Sequence, residues 1–427
     1  MKVSRKTFAI AFVLFFLVFN PPLVKGLSFA IIAVVCSFLY CYKNRTALAR
    51  LVNNKLVRGI IGAFLIFILY DIVQAVIHGF SGNPLIYSNL GADLLSDFSI
   101  FSVGFAFALY AIKHRWDIVY FFKVYAIVGV YQACIGLLCL VSPAVKTTLN
   151  NIVMANSHSE KIRDSVEKVS EYRNFGFASS TYDNFGFALT VLALIAATLG
   201  LNGEKKYFVV SFLIAAVAVM NGRSSFVFYM AGLTVLLLSS QGKITANWIA
   251  KRVAFFAVAI VAIGVLFSWI IQNESSEQMM WIAAAITATQ SLSEGEHVGF
   301  FDAFMNEFLI FPPDVVSNLF GVGMNPADAI DHNSDTGYIQ YLWKYGILGS
   351  ILLYRKFYIL IRNAKRSLDW PFSIYAKTLI IILSLYLIKL ACLGYGMSAS
   401  VYAPLCFFAI FSSTLRAENL KINNQFV

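Results

Sequence analysis

Residues 331–350 read DHNSDTGYIQYLWKYGILGS, and the character of the chain changes halfway along them. Asp331, His332, Asn333, Ser334 and Asp335 form as polar a run as any in the sequence, while the residues from Tyr338 onward are those of an apolar helix. No linker separates the two. A titratable run joined directly to an apolar helix is what a chain shows where it enters a membrane, so the fold class turns on whether enough further spans accompany this one.

The rest of the sequence supplies them. Hydrophobic residues make up 59% of the 427, aromatics 15% and charged residues only 13%. The mean hydropathy is +0.73, well outside the range of soluble domains. A helix crosses the hydrocarbon core in roughly 17 to 25 residues with its backbone bonds satisfied internally. About twelve stretches of this kind can be marked. They centre on Phe8–Phe19, Leu27–Tyr42, Val57–Ile77, Asp93–Ile112, Ile118–Val141, Phe185–Leu199, Tyr207–Met220, Phe226–Leu238, Val253–Ile271, Tyr338–Leu353, Phe372–Ala391 and Val401–Leu415. The expected fold is an all-α polytopic membrane protein, one membrane domain over 1–427.

Lys and Arg near span ends stay on the cytoplasmic side. Both termini are therefore expected inside, an arrangement that leaves only Lys25, Lys146, Lys161, Arg163, Lys168, Arg173 and Arg223 on outer loops. Lys356 counts among the cytoplasmic charges that follow the Tyr338 span. The net charge of +11 then reflects topology and attraction to anionic lipid, and nucleic acid is not an expected partner. Phe8–Phe19 opens like a signal peptide, but no small-residue cleavage site precedes Asn20-Pro21-Pro22, so a retained first span is expected. The six cysteines, Cys36, Cys41, Cys134, Cys139, Cys392 and Cys406, all fall inside expected spans, where none can staple an outer loop.

Two outer segments, about 142–184 and 272–336, are much longer than the other loops, and long loops in compact proteins carry function or are disordered. Helical spacing of Ile162, Val166, Val169 and Tyr172 argues for order in the first. In the second, 279–289 is apolar but too short to span, 300–311 is amphipathic and stops at Pro312-Pro313, and residues 318–323 read as a loop. Asn-Phe-Gly-Phe-Ala occurs at 174–178 and again at 184–188, a coincidence expected in a Phe-rich chain. No half-chain repeat is visible, and broken spans of the kind that mark carriers are not expected.

The sequence contains no phosphate-binding Gly-rich loop, no dinucleotide-binding glycine pattern, no His-Glu-x-x-His and no outer Asp-x-Asp. What remains outside is a sparse set of ionisable groups at span mouths. Arg223 sits in a turn of a few residues, Arg173 precedes the Phe185 span, and His332 and Asp335 precede the Tyr338 span. Two guanidinium forks suit an anion such as a phosphate, and a His beside them can act as a base near neutral pH. A lipid-borne phosphate lies at the interface, which would account for a polar cluster at the mouth of a span. Blander roles stand beside these. Arg223 could anchor to headgroups, Arg173 could be one more loop charge, and His332 could bond the loop backbone. Ser334, Asp335 or Thr336 could cap the Tyr338 helix. A cation site from Asp328, Asp331, His332 and Asp335 has irregular spacing against it. Asp71, Asp93 and Asp97 lie in or near spans, where carboxylates are functional candidates by default; pairing with Lys389, a proton relay, or lining a polar cavity are all open.

The segment FGVGMNPADAIDHNSDTGYIQYLWKYGILGSILLY resembles the C-terminal signature of the bacterial O-antigen ligase and polymerase superfamily: a Gly-x-Gly turn, a variable loop, a His-Asn or Ser-Asp element, then a span with Gly-Ile-x-Gly. NGRSSFVFYMAGLTVLLL is similar to that superfamily's Arg-Ser start of a central span, and YRNFGFASSTYDNFGFALTVLAL to its Arg-x-x-Gly-x-Phe segment. The resemblance covers roughly 171–354. It implies a GT-C-like bundle in the bacterial inner membrane with a periplasmic site. It also implies a glycosyltransferase that uses undecaprenyl-diphosphate-linked glycans, without a nucleotide sugar, cofactor or metal. Carried over by motif, Arg173 and Arg223 would bind the diphosphate, and His332, with Asp335, would act as base or position the acceptor. Asn333, Ser334, Tyr338 and Asn184 would support the acceptor. Two departures stand out. An Arg that many members place ahead of the Gly-x-Gly turn has only His297 here, and the Arg-to-Gly spacing described for some polymerases is not reproduced after Arg173.

The Ser-Asp-Thr-Gly-Tyr-Ile form at 334–339 looks more like a polymerase, while His332-Asn333 is shared with ligases. The implied reaction joins repeat units into O-antigen, capsule or exopolysaccharide, with a chain-length regulator as a possible partner. The alternative is ligation of the polymer to lipid A core. The rival from another class is a lipid-linked oligosaccharide flippase or proton-coupled transporter built on Asp71 and Asp97.

Overall fold

The computed structural model describes residues 5–22, 29–79, 84–156, 177–178, 183–239, 309–330, 334, 336–389, 391–393 and 397–424. For Arg223 it describes the backbone alone. Every described element is a helix: α1 Arg5–Phe19, α2 Phe29–Lys43, α3 Arg45–Val52, α4 Lys55–Gly79, α5 Pro84–Lys113, α6 Ile118–Val141, α7 Pro143–Asn156, α8 Asp183–Leu201, α9 Lys206–Val219, α10 Arg223–Leu238, α11 Val315–Phe320, α12 Pro326–Ile330, α13 Gly337–Arg366, α14 Phe372–Tyr386 and α15 Met397–Asn424. No strand occurs among the described residues. Among the described residues, five helices are long and apolar enough to cross a membrane: α4, α5, α6, Asn184–Leu201 within α8, and Ala399–Arg416 within α15. These are the helices of a multi-pass membrane protein, since a backbone at membrane depth must satisfy its own hydrogen bonds.

Each apolar stretch marked in the sequence has a helix at its place, except Val253–Ile271, which lies outside the described residues. The expectations for 157–172, 279–289 and most of 300–311 lie outside them too. The first long loop opens with α7, whose first position is a proline, where a missing N–H costs nothing. Two local readings are corrected. Residues 318–320, the first half of the expected 318–323 loop, belong to α11, which is capped by Asp314: its carboxylate accepts from the Ser317 amide at 2.9 Å and the Ser317 hydroxyl at 2.7 Å. Cys392 lies in the connection between α14 and α15 rather than in a span, and like the other five cysteines it is free.

The chain forms two compact units. One comprises Met1–Val18, Ser28–Tyr125 and Ala303–Val427, the other Phe19–Leu27 and Ala126–Asp302. In the second, α8, α9 and α10 pack on one another through short turns. A Cβ at Gly186 would overlap the Ser225 hydroxyl, so glycine at that position is what lets α10 lie close against α8. The polar side chains of this unit are satisfied across short distances. Ser211 donates to the Ala193 carbonyl at 2.7 Å and shares a 2.8 Å hydrogen bond with the Tyr229 hydroxyl, and Thr198 bonds back to Leu194 at 2.8 Å.

In the first unit, α5 packs against α2, α4 and α15, and α13 against α4, α11, α14 and α15. Phenylalanine supplies much of the contact: Phe105 meets Phe407 edge-on at 4.7 Å, Phe121 stacks on Phe408 at 4.8 Å, and Phe64 meets Phe101 at 4.6 Å. Such pairs add to the area they bury.

The element that departs most from expectation is α13. The sequence suggested a span ending at Leu353, but the helix runs on to Arg366 and is broken inside at Gly346, which has φ 66° and ψ −176°. Only glycine tolerates that backbone without strain.

Candidate functional site

The break in α13 frees carbonyls that a continuous helix would have used, and they need donors from elsewhere. The Gly321-Val322-Gly323 turn supplies two. The Val322 amide donates to the Trp343 carbonyl at 2.7 Å, and the Gly323 amide donates to that of Lys344 at 3.1 Å. Helix α4 supplies the rest. The Tyr70 hydroxyl donates to the Tyr345 carbonyl at 2.7 Å, and the Gln74 side-chain amide donates to the carbonyls of Lys344 and Phe320, both at 2.6 Å. A Cβ at Gly346 would overlap the backbone of Leu319 and Gly321, so two glycines of the sequence motif meet backbone to backbone. Trp343 fixes the approach of the preceding chain by donating its indole N–H to the Ile310 carbonyl at 2.6 Å.

Beside this junction lies a cavity of about 210 Å³. Its polar lining comes from three places: Asp93, Ser96 and Asp97 on α5, Asn325 before α12, and Gln340, Lys344 and Lys356 on α13. Asp93 and Asp97 are one helical turn apart and so present their carboxylates on one face. Each meets a lysine of α13. Lys344 Nζ lies 2.6 Å from Asp93 Oδ2, and the Tyr345 hydroxyl donates to the same carboxylate at 2.8 Å. Lys356 Nζ bonds both oxygens of Asp97, at 2.7 and 2.8 Å. This second pair is nearly sealed, with side-chain exposures of 3% and 5% against 13% and 20% for the first. The Lys356 ammonium also lies over the ring of Phe67, 3.8 Å from its centroid, with Phe64 at 4.9 Å and Phe357 at 5.2 Å. Aromatic faces attract a desolvated cation, which offsets part of the cost of burying it.

Asp71 and Gln74 are buried on the α4 face nearby. Outside the apolar helices, Asp314 is fully exposed, and the Ser317 hydroxyl and amide hold its carboxyl below the usual carboxylate range.

The structure thus brings together Asp71, Asp93 and Asp97, which the sequence had singled out, but with partners it had not. The lysines are Lys344 and Lys356, not Lys389. Lys356, counted from sequence among the cytoplasmic loop charges, is 2% exposed inside the bundle. Asp93 and Asp97, four apart, were a readable signal, but nothing in the sequence paired them with Lys344 and Lys356. Tyr345, Tyr70 and Gln74 carried none.

Of the residues carried over by motif, Arg173, His332, Asn333 and Asp335 lie outside the described residues. Ser334 and Thr336 are buried, at 1% and 2% exposure. Ser334 is not the helix cap: its hydroxyl accepts from the Thr336 amide at 3.3 Å and its carbonyl from Gln340 at 2.6 Å, while Thr336, the residue before α13, makes no side-chain cap bond. Tyr338 donates its hydroxyl to the Ser384 carbonyl at 2.8 Å and its amide to that of Leu387 at 3.1 Å, so it ties α13 to α14. Asn184 is half-buried at the second position of α8. Arg223 opens α10, behind an extended Gly222 with no side-chain cap.

No protein-family model matches the chain, and a search of curated proteins finds no match.

Proposed function

We propose that the protein is an inner-membrane glycosyltransferase that polymerises undecaprenyl-diphosphate-linked oligosaccharide units on the periplasmic face. In this reading about twelve spans carry both termini inside. The observation that carries it is the meeting of two motif segments. The Gly-x-Gly turn at 321–323 donates its amides to the break in the Gly-Ile-x-Gly helix, beside a polar cavity in an otherwise apolar bundle. Sequence resemblance supplies the reaction class, and the fold gives those motif residues a common structural purpose.

The reaction is an inverting displacement. A hydroxyl of the incoming unit attacks the anomeric carbon of the growing chain, the bond from that carbon to the diphosphate oxygen breaks, and the hydroxyl proton passes to His332, oriented by Asp335. Arg173 and Arg223 offset charge on the departing diphosphate, which needs no general acid. Arg223 suits that role because it is the first residue of α10, and the N-terminus of a helix favours an anion.

Arg223→Ala should lower the polymerisation rate on the order of 10²- to 10³-fold and nearly abolish long-chain glycan at normal membrane abundance. Wild-type chain length in that variant counts against the assignment. A deletion strain separates the neighbouring readings. Single repeat units on the lipid A core indicate a polymerase; bare core with accumulating lipid-linked polymer indicates a ligase.

One observation favours a second reading, a carrier. Broken helices beside buried charges are a recurring feature of transporters, and α13 is interrupted at Gly346 and carries Lys356, paired with Asp97 in the interior. Repeat units trapped in the cytoplasmic leaflet of the deletion strain would select it.

A further inference from the structure

The charges of the cluster beside the cavity do not balance, and the imbalance falls on Asp71, a buried neighbour of the pairs that line it. Its side chain is 6% exposed, and the described residues give its carboxyl group no hydrogen-bond donor. The charged groups facing it are Asp93 and Asp97 on α5 and Lys344 and Lys356 on α13. Tyr345 of α13 and the adjacent Tyr70 are the neighbouring hydroxyls. All of these donors are committed elsewhere. Lys344 and Tyr345 bond Asp93, Lys356 bonds both oxygens of Asp97, and Tyr70 donates to the Phe320 and Tyr345 carbonyls. Gln74, one turn along α4, gives its amide to the carbonyls of Phe320 and Lys344. Three carboxyl groups therefore share two ammonium groups. With all five ionised, the cluster would hold one uncompensated negative charge among the aromatic rings of Phe64, Phe67 and Phe357, an arrangement that low-dielectric surroundings penalise heavily.

We propose that Asp71 is a proton-binding site. It holds one exchangeable proton that makes the cluster neutral, and loss of that proton switches the cluster to a single negative charge. The step is the simplest acid–base reaction: the Asp71 carboxylic acid gives a proton to water and becomes a carboxylate, and no other bond is made or broken. The position gives the switch leverage. Tyr70 and Gln74, which pin the break in α13, lie on the same α4 segment as Asp71, so ionisation places a charge among the donors that hold the broken helix. This inference is independent of the glycan reading.

The test uses the purified full-length protein in detergent micelles, titrated with hydroxide and followed by infrared absorption in the protonated-carboxyl C=O region. The wild type should show one such band at neutral pH that is converted to carboxylate absorption as the pH rises. Asp71→Asn, which mimics the neutral acid, should lose the band and keep its helical amide absorption. Asp71→Glu should keep the band at a moved position, and it carries the test if Asp71→Asn does not fold. Lys356→Met, which leaves three carboxyl groups to one ammonium, should gain a second band. The proposal is overturned if the wild type has no protonated-carboxyl band, if the band survives in Asp71→Asn or stays unmoved in Asp71→Glu, or if sodium chloride abolishes it at fixed pH where potassium chloride does not, which would mark a cation site. No glycan takes part in the measurement, so failure here leaves the polymerase reading standing, and failure of the polymerase assay leaves this one standing.

Discussion

The α8–α10 bundle and the α4–α5–α13 group solve the same problem in opposite ways. In the former each helix closes its own backbone ladder, and polar side chains such as Thr190, Thr198 and Ser211 are satisfied by carbonyls close at hand. In the latter, α13 interrupts its ladder at Gly346 and depends on amides and side chains from residues far away in sequence. The first arrangement is what an apolar solvent demands of any helix. The second creates a polar junction inside the bundle, and polar groups held there need a reason beyond stability.

The contrast can be broken most severely at its buried charges. Lys356→Met alone leaves Asp97 without its partner and should cost about 3–5 kcal/mol, read as thermal unfolding in detergent; adding Asp97→Leu should restore most of the loss. Next comes the break itself. Gly346→Ala forces a Cβ into the Leu319 and Gly321 backbone at a positive φ and should cost about 2–4 kcal/mol, whereas a substitution at an exposed α10 position such as Val227→Ala should change little. Gln74→Leu removes two hydrogen bonds whose acceptors each keep another donor, for about 1–2 kcal/mol. Tyr229→Phe in the α8–α10 bundle leaves Ser211 bonded to Ala193 and should cost about 1 kcal/mol or less. If the two substitutions prove equal, the junction is no more dependent on long-range donors than the plain bundle.

The smallest effect is expected at Asp314. Hydrogen bonds to its ionised form depress the carboxyl's proton affinity in the folded state. The cap it forms is therefore complete above the ordinary carboxylate range and is lost as pH falls through the depressed value. The protection of the Val315–Phe320 amides, their hydrogen exchange relative to the intrinsic rate at each pH, should fall in Asp314→Ala at neutral pH, and in the wild type only on acidification.

Hydropathy made the helices legible because a spanning segment must be apolar over most of its length, and α4, α5 and α6 meet that demand openly. It failed for α13, whose three lysines and three arginines read as the end of a span. The placement of Lys344 and Lys356 inside the bundle becomes intelligible only once Asp93 and Asp97 are placed opposite. The Gly-x-Gly turn was visible as a turn, but its task of feeding amides to a break more than twenty positions later was not. That task depends on Gly346 adopting a backbone which its neighbours in sequence do not announce. Asp71, Asp93 and Asp97 could be singled out because carboxylates at that depth are rare. Their partners could not, since contact between residues so far apart is a property of packing.

The sealed pair of Asp97 and Lys356 has a consequence for how the protein is made. The two residues are 259 positions apart, so the ribosome delivers the acid to the membrane long before the base. A lone carboxylate at the centre of a helix costs about 2.5–3.5 kcal/mol to insert, and α5 must bear that cost until α13 arrives. Nascent chains that stop short of Lys356 retain an unsatisfied acidic helix, a mark by which the membrane's quality-control machinery can tell unfinished copies from finished ones.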